Sequence, residues 1–294
     1  MKLKSTLENY LFILPAVTIF SIFYIYPFSQ VFMLGLYDWD GISLTKTFVG
    51  LDNFKDIIFS DPVWWQSMRQ AGWITLIALV FQNALAFLLA WACDREIRLK
   101  NYYRLIFFLP PILSEVVVGL VWGWILEGNY GLLNGWLGQI GLTELARNWL
   151  TDPKTALNCV AIVHCWKGFG WGFLIFLAGL QTIPRELYEA AKVDGANSWH
   201  TFRKVTIPLM IPVAILVAIL TVLGTMQAFV LIIAMTGGGP GYHTEVPVLR
   251  ILASMRGSSR FGYACAQGII FGVILVSVSF IQYRFSKRSQ AKGA

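Results

Sequence analysis

Residues 181–208 read QTIPRELYEAAKVDGANSWHTFRKVTIP, a polar segment between two long apolar runs. Pro184 precedes a short helix expected over residues 185–192, at the end of a helix where proline is best tolerated. Asp194-Gly195 then stops that helix, because glycine enters a left-handed turn without a steric penalty. A second short amphipathic piece is expected over 197–205, capped by Asn197 or Ser198. Its Trp199, Phe202 and Val205 share one face at helical spacing. Pro208 is expected to end it and open the next apolar run. The segment therefore reads as a helix–turn–helix bracket at a membrane surface. It offers apolar knobs and an acidic side chain, Glu189, to a partner.

The rest of the chain supplies the membrane. Of 294 residues, 56% are hydrophobic and 13% charged, against about 25% charged in ordinary soluble domains. Mean hydropathy is +0.62. Six apolar spans are expected, at about 11–36, 72–93, 105–126, 156–180, 208–234 and 264–283, each near the roughly 20 residues a bilayer needs. The first follows Lys2 and Lys4 and is too long, with no small-residue cleavage site, to read as a signal peptide. It reads as an anchor.

Basic residues set the orientation. Fourteen fall in alternate segments: Lys2 and Lys4; Arg95, Arg98, Lys100 and Arg104; Arg185, Lys192, Arg203 and Lys204; Arg284, Lys287, Arg288 and Lys292. The intervening segments carry eight. The richer set belongs inside, so both termini and the bracket are expected in the cytoplasm. The net charge of +7 is thereby a topology signal and calls for no nucleic acid. The four cysteines lie in or beside apolar runs and read as small buried residues, not a disulfide framework. His164-Cys165 lacks partners at metal-ligand spacing.

Two charges lie inside spans. Glu115 and Lys167 each fall about eleven residues from a span end, roughly 16 Å deep at about 1.5 Å per residue. Each costs on the order of 2.5–3.5 kcal/mol at a helix centre, while an apolar residue returns only about 0.3–0.6, so neither is left facing lipid. They pair with each other, line a transport path, or meet another subunit. Trp166, Phe169 and Trp171, among Gly168, Gly170 and Gly172, suit the apolar faces of a sugar ring and equally suit core packing. Thr221, Thr225, Gln227 and Phe229 in the fifth span offer mixed polar and aromatic contact. Three G-x-x-x-G pairs, Gly119/Gly123, Gly168/Gly172 and Gly268/Gly272, are candidate close helix contacts.

Competing classes fail on their chemistry. The glycine-rich run after the fifth span, TGGGP at 236–240, lacks the lysine and hydroxyl of a phosphate loop. No H-E-x-x-H or G-x-S-x-G occurs, and Glu115 with Lys167 is the sole paired candidate for a membrane-embedded enzyme such as a glycosyltransferase or intramembrane protease.

The bracket also carries a resemblance. Glu189-Ala190-Ala191, three residues, Gly195, nine residues, then Val205-x-Ile207-Pro208 resembles the EAA loop of ABC-importer permeases, with V-x-I-P where the family usually has I-x-L-P. GLDNF at 50–54, Trp122 with GLLN at 131–134, and MTGGGP at 235–240 resemble stretches of the maltose-type carbohydrate permeases. The resemblance implies an all-α polytopic membrane protein with the six-helix type I importer fold, the whole of 1–294 forming one permease domain with a coupling loop at 181–207. It implies a bacterial inner-membrane subunit that joins a second, different permease chain, two ATPase subunits and an external solute-binding protein. ATP and magnesium would belong to the ATPases, with no cofactor on this chain. It also implies coupling roles for Glu189, Ala190, Ala191, Asp194, Gly195, Phe202 and Pro208. The substrate path is expected at Glu115, Trp166, Lys167, Phe169, Trp171, Gln227 and Phe229. The cargo implied is a sugar or oligosaccharide, moved by alternating access. A polyol or glycerol phosphate is the alternative. Related permeases often have an acid where Val230 stands here, a departure that weakens any substrate inferred from close relatives.

Overall fold

The computed structural model describes the backbone of residues 2–95 and 98–293 and the side chains of 11–95 and 98–284. The side chains of Lys2, Lys4, Glu96, Lys287, Arg288 and Lys292 lie outside the described residues. The elements, in order, are α1 (Leu11–Leu34), a ribbon of β1 (Tyr37–Asp38) and β2 (Thr47–Phe48), α2 (Asp52–Phe59), α3 (Pro62–Asp94), α4 (Lys100–Ile112), α5 (Glu115–Ile125), α6 (Leu132–Gln139) and α7 (Ala156–Gln181). The chain continues through α8 (Arg185–Val193), α9 (Ser198–Met226), α10 (Val230–Thr236), α11 (Pro247–Arg256) and α12 (Phe261–Gly293). Among the described residues, five helices are long and apolar enough to cross a membrane, and α4 with α5 makes six if that bent pair is one span.

The chain divides into two compact units, residues 1–62 with 250–274 and residues 63–249 with 275–294. In the first, Tyr37 and Asp38 pair antiparallel with Phe48 and Thr47, a two-stranded ribbon within the otherwise helical chain. Asn53 of the GLDNF stretch is buried. Its amide donates to the carbonyls of Gly35 and Tyr37, both at 3.0 Å, tying the end of α1 to the ribbon. The same unit closes with Tyr263 Oη donating to Asp61 at 2.9 Å and Arg250 at 3.8 Å from that carboxylate. None of the described side chains of α1 is buried.

In the second unit, α7 is the axis. Phe169, Phe173, Phe176, Leu177 and Leu180 recur at helical spacing and are buried with Ala86, Ala90 and Cys93 of α3 and Met210 and Val217 of α9. The glycines of α7 set the distances. At Gly170 a Cβ would lie 2.6 Å from the Phe107 carbonyl oxygen of α4 and 2.6 Å from Pro111 Cγ. Pro111 has no N–H for that carbonyl, four residues earlier, and Gly170 lets the α7 backbone come against it.

Three expectations are corrected here. The third span does not run unbroken over 105–126: α4 and α5 meet at 93°. Pro110 and Pro111 remove two donors, and Leu113 and Ser114 are extended, with ψ near 140°. Glu115 thus opens a helix instead of sitting at mid-helix. The positive end of the α5 dipole favours a carboxylate there. Pro208 ends nothing, since α9 passes through it. The turn before it widens to a π-helix over Phe202–Thr206, which relieves the clash a proline ring makes with the carbonyl four residues back. The fifth span stops at Met226, where Gln227, Ala228 and Phe229 separate α9 from α10.

The loops that resembled family stretches are held by their own polar side chains. Asn134 Nδ2 donates to the carbonyls of Gly128 and Arg147 at 2.7 and 2.8 Å, and its Oδ1 accepts from Trp149 Nε1 at 2.8 Å. After α10, Thr236 and Thr244 hydroxyls bond at 2.7 Å, and Thr244 donates to the Gly239 carbonyl at 2.8 Å. This turn is folded in on itself, with Gly238 buried and Gly237 exposed.

Candidate functional site

Two sites emerge, a bracket and a cavity, and α9 carries part of both. In the bracket, Glu186 stands in the first turn of α8 and Lys192 in its last, the arrangement the helix dipole favours. The helix ends in a Schellman motif: Gly195 N–H reaches the Lys192 carbonyl at 3.1 Å and Ala196 N–H the Ala191 carbonyl at 2.9 Å. Gly195 has φ +76°, the left-handed conformation this motif requires. Asn197 Oδ1 then accepts from the His200 N–H at 2.8 Å and caps α9.

Glu189, Ala190, Asp194, Gly195 and Pro208 are exposed and Ala191 half-buried, so these faces are open to a partner. Phe202 is not. It is buried, its ring 4.5 Å from that of Trp91 and 6.0 Å from that of Phe87. It anchors the bracket to α3 instead of contacting a partner. Trp199 stays 66% exposed with its ring 5.7 Å from that of Phe202, so the expected apolar face has one ring buried and the next open to solvent.

The cavity, about 300 Å³, opens among α3, α5, α7 and α9. The α7 face that lines it is His164, Lys167, Gly168, Trp171, Gly172 and Ile175, a 3–4 spacing one helical face allows. From α9 come Val217, Leu220, Thr221, Gly224 and Thr225; α5 supplies Glu115 and α3 supplies Gln82. Lys167 Nζ lies 3.9 Å from Glu115 Oε1, with the lysine side chain 14% and the glutamate 41% exposed. They form an ion pair on the cavity wall, so pairing and lining hold together.

Helical phase corrects the other expected path residues. Trp166 packs edge-on against Trp122 at 5.5 Å, and Phe169 is buried against Phe107 in the core. Both lie beside Lys167 in sequence but off its face. Gln227 and Phe229 lie past the end of α9 and do not line the cavity. Thr221 and Thr225 do. Thr221 donates to Asn83 Oδ1 at 3.0 Å, and Thr225 shares a 2.7 Å bond with Thr75. Gln82 and His164 were missed as wall residues, although His164 falls three positions before Lys167. Gln82 carried no sequence signal, because its place depends on a π turn over Ala78–Gln82. Of the three G-x-x-x-G pairs, Gly168/Gly172 makes close contacts at both positions and Gly119 faces Ala234. At Gly123, Gly268 and Gly272 a Cβ would meet nothing within 4 Å.

The Glu115–Lys167 pair gives a measurable expectation. Glu115→Gln and Lys167→Met each lower the melting temperature in detergent. The double variant loses less than the sum, with a coupling of about 1 kcal/mol, inside the range for residues in contact. Additive losses would rule out direct pairing.

Among the described residues no group of three or more metal-ligating side chains comes together. What the geometry defines is a polytopic helical membrane protein: membrane-length helices around a largely apolar cavity with an ion pair on its wall, and an exposed bracket on the helix that walls it. The chain belongs to the binding-protein-dependent transport system inner membrane component family, matched over residues 82–290. It is similar to the sn-glycerol-3-phosphate transport system permease protein UgpA of Agrobacterium fabrum, 32% identical over 282 residues, covering 95% of this chain and 94% of that one. It is also similar to the multiple sugar-binding transport system permease protein MsmF of Streptococcus mutans, 30% identical over 292 residues, covering 98% and 99%. Its fold matches that of a chain from a bacterial ABC transporter that imports the acidic polysaccharide alginate. There the TM-score is 0.83 at 24% identity, with 98% of this chain and 97% of that one covered. The family makes this a multi-pass inner-membrane protein.

Proposed function

We propose that this chain is one of two permease subunits of an ATP-driven importer, moving a sugar or oligosaccharide into the cytoplasm by alternating access. Its partners are a second, different permease chain, two cytoplasmic ATPase subunits that hold ATP and magnesium, and an external solute-binding protein. Both termini and the bracket lie inside, as the basic residues require.

The observation that carries this reading is the continuity of α9. Its 29 residues extend about 43 Å at about 1.5 Å per residue. Asn197 caps it in the bracket, Phe202 pins it to α3, and Val217, Thr221 and Thr225 wall the cavity. A helix this long transmits displacement. When ATP closes the ATPase pair, movement of α8 and its turn shifts α9 and reshapes the cavity. Glu189, Ala190, Ala191, Asp194 and Gly195 form the contact face. The exposed carboxylate of Glu189 meets a basic group there, and Ala190 and Ala191 permit close approach.

Reconstitution tests the whole reading. The assembled complex imports labelled saccharide only with ATP and the binding protein present. Glu189→Lys lowers that uptake by about tenfold or more, since reversing one partner of a charge pair exchanges attraction for repulsion, while leaving the melting temperature of this exposed site unchanged. Wild-type uptake by the variant would remove Glu189 from the coupling path. A glycerol-phosphate cargo is the second reading, favoured by the similarity to UgpA, and the same uptake assay with labelled sn-glycerol-3-phosphate decides it.

A further inference from the structure

We infer that Gln82 is a specificity-determining residue of the cavity, reading a hydroxyl donor on an uncharged cargo. The inference rests on the importer reading and narrows its cargo to polyhydroxylated molecules without a phosphate.

Gln82 is the last residue of the π turn in α3 and is only 7% exposed. A π turn inserts one extra residue and swings the side chain that follows it out of helical register. Here it sends the carboxamide across to α7, where Gly168 makes room. A Cβ at Gly168 would lie 2.7 Å from Gln82 Oε1 and 3.0 Å from Nε2. Glutamine at 82 and glycine at 168 are thus a fitted pair.

Among the described residues, Oε1 of Gln82 has no hydrogen-bond partner. Among the described residues lining the cavity, it is the one buried side-chain polar atom in that condition. The threonine hydroxyls beside it are already engaged: Thr221 with Asn83 and the Val217 carbonyl, Thr225 with Thr75 and the carbonyls of Thr221 and Val222. Folding leaves buried acceptors unsatisfied rarely, because each forfeits its hydration. An acceptor kept on the wall of a largely apolar cavity calls for a donor from the cargo. A sugar hydroxyl donates. A glycerol phosphate meets Oε1 only through its hydroxyls, and the phosphate dianion itself needs a cation that the wall does not spare, since Lys167 is already offset by Glu115 at 3.9 Å. The cavity volume of about 300 Å³ lies at the small end of ligand pockets.

The test uses the complete transporter in proteoliposomes, with labelled neutral mono- and disaccharides and labelled sn-glycerol-3-phosphate. We expect the wild type to import a neutral saccharide in preference to sn-glycerol-3-phosphate. Gln82→Leu lowers that uptake by about tenfold, the size of one hydrogen bond. Because Leu removes an unsatisfied buried acceptor, the melting temperature does not fall. This opposite movement of stability and transport separates recognition from packing, as a purely structural glutamine would lose both. Gly168→Ala pushes the flexible carboxamide aside and reproduces the uptake defect.

Wild-type uptake by Gln82→Leu, or parallel loss of uptake and melting temperature, overturns the inference and leaves the importer reading standing. Preferential import of sn-glycerol-3-phosphate does the same. Absence of ATP-dependent import of any cargo by a fully assembled wild type overturns both.

Discussion

Gly195→Val lowers ATP-coupled uptake by about tenfold or more, taking each 1.36 kcal/mol as tenfold, while the transmembrane core keeps its melting temperature. Space is not the reason: a Cβ at Gly195 would meet nothing within 4 Å. The reason is the backbone. At φ +76° an ordinary L residue pays about 1–2 kcal/mol, and a β-branched one is a genuine outlier. Valine therefore pulls the residue out of the left-handed region. The bonds from Gly195 and Ala196 to the carbonyls of Lys192 and Ala191 are then lost together. Helix α8 turns relative to α9, and the face bearing Glu189 no longer meets its partner in register. Gly195→Asn provides the control, because asparagine tolerates this conformation. It restores most of the uptake. Equal uptake by the valine variant and wild type would show that the turn does not set the bracket's geometry.

Gly170→Ala destabilises the protein outright. The added methyl would stand 2.6 Å from the Phe107 carbonyl oxygen and 2.6 Å from Pro111 Cγ. Neither neighbour is a flexible side-chain end, so α4 and α7 must separate. Overpacking of this kind typically costs about 1–3 kcal/mol, and here it also strips the Phe107 carbonyl of its close neighbour. A lower melting temperature and a lower yield from membranes are expected. Gly123→Ala, with nothing within 4 Å, is expected to melt no lower than wild type. Identical behaviour of the two alanine variants would mean that α4 and α7 do not pack as described.

The contrast between Gly170 and Gly123 shows where sequence reading stops. Both are glycines in apolar helices, and Gly123 belongs to a G-x-x-x-G pair while Gly170 does not. Spacing selects which residues share a face; it does not say what stands opposite. The same limit separates Lys167 from its neighbours. Trp166 and Phe169 were grouped with it by nearness along the chain, yet an α-helix turns each residue by about 100° and sends Trp166 against Trp122 and Phe169 into the core. His164 and Trp171, three before and four after, share its face and the cavity. Gln82 was out of reach of any such rule, because a π turn breaks the period on which the rule depends.

The sequence by itself determined the membrane class, the bracket, its stop at Gly195 and a cap at Asn197 or Ser198. These follow from composition and from interactions within a few residues, where backbone preference acts without help. Tertiary structure alone decided that Phe202 is an anchor, that the third span breaks before Glu115, that α9 continues through Pro208, and that Gln82 meets Gly168 across two helices. Each of those outcomes depends on side chains or backbone far apart in the chain. Packing sets such distances, and no local pattern encodes them.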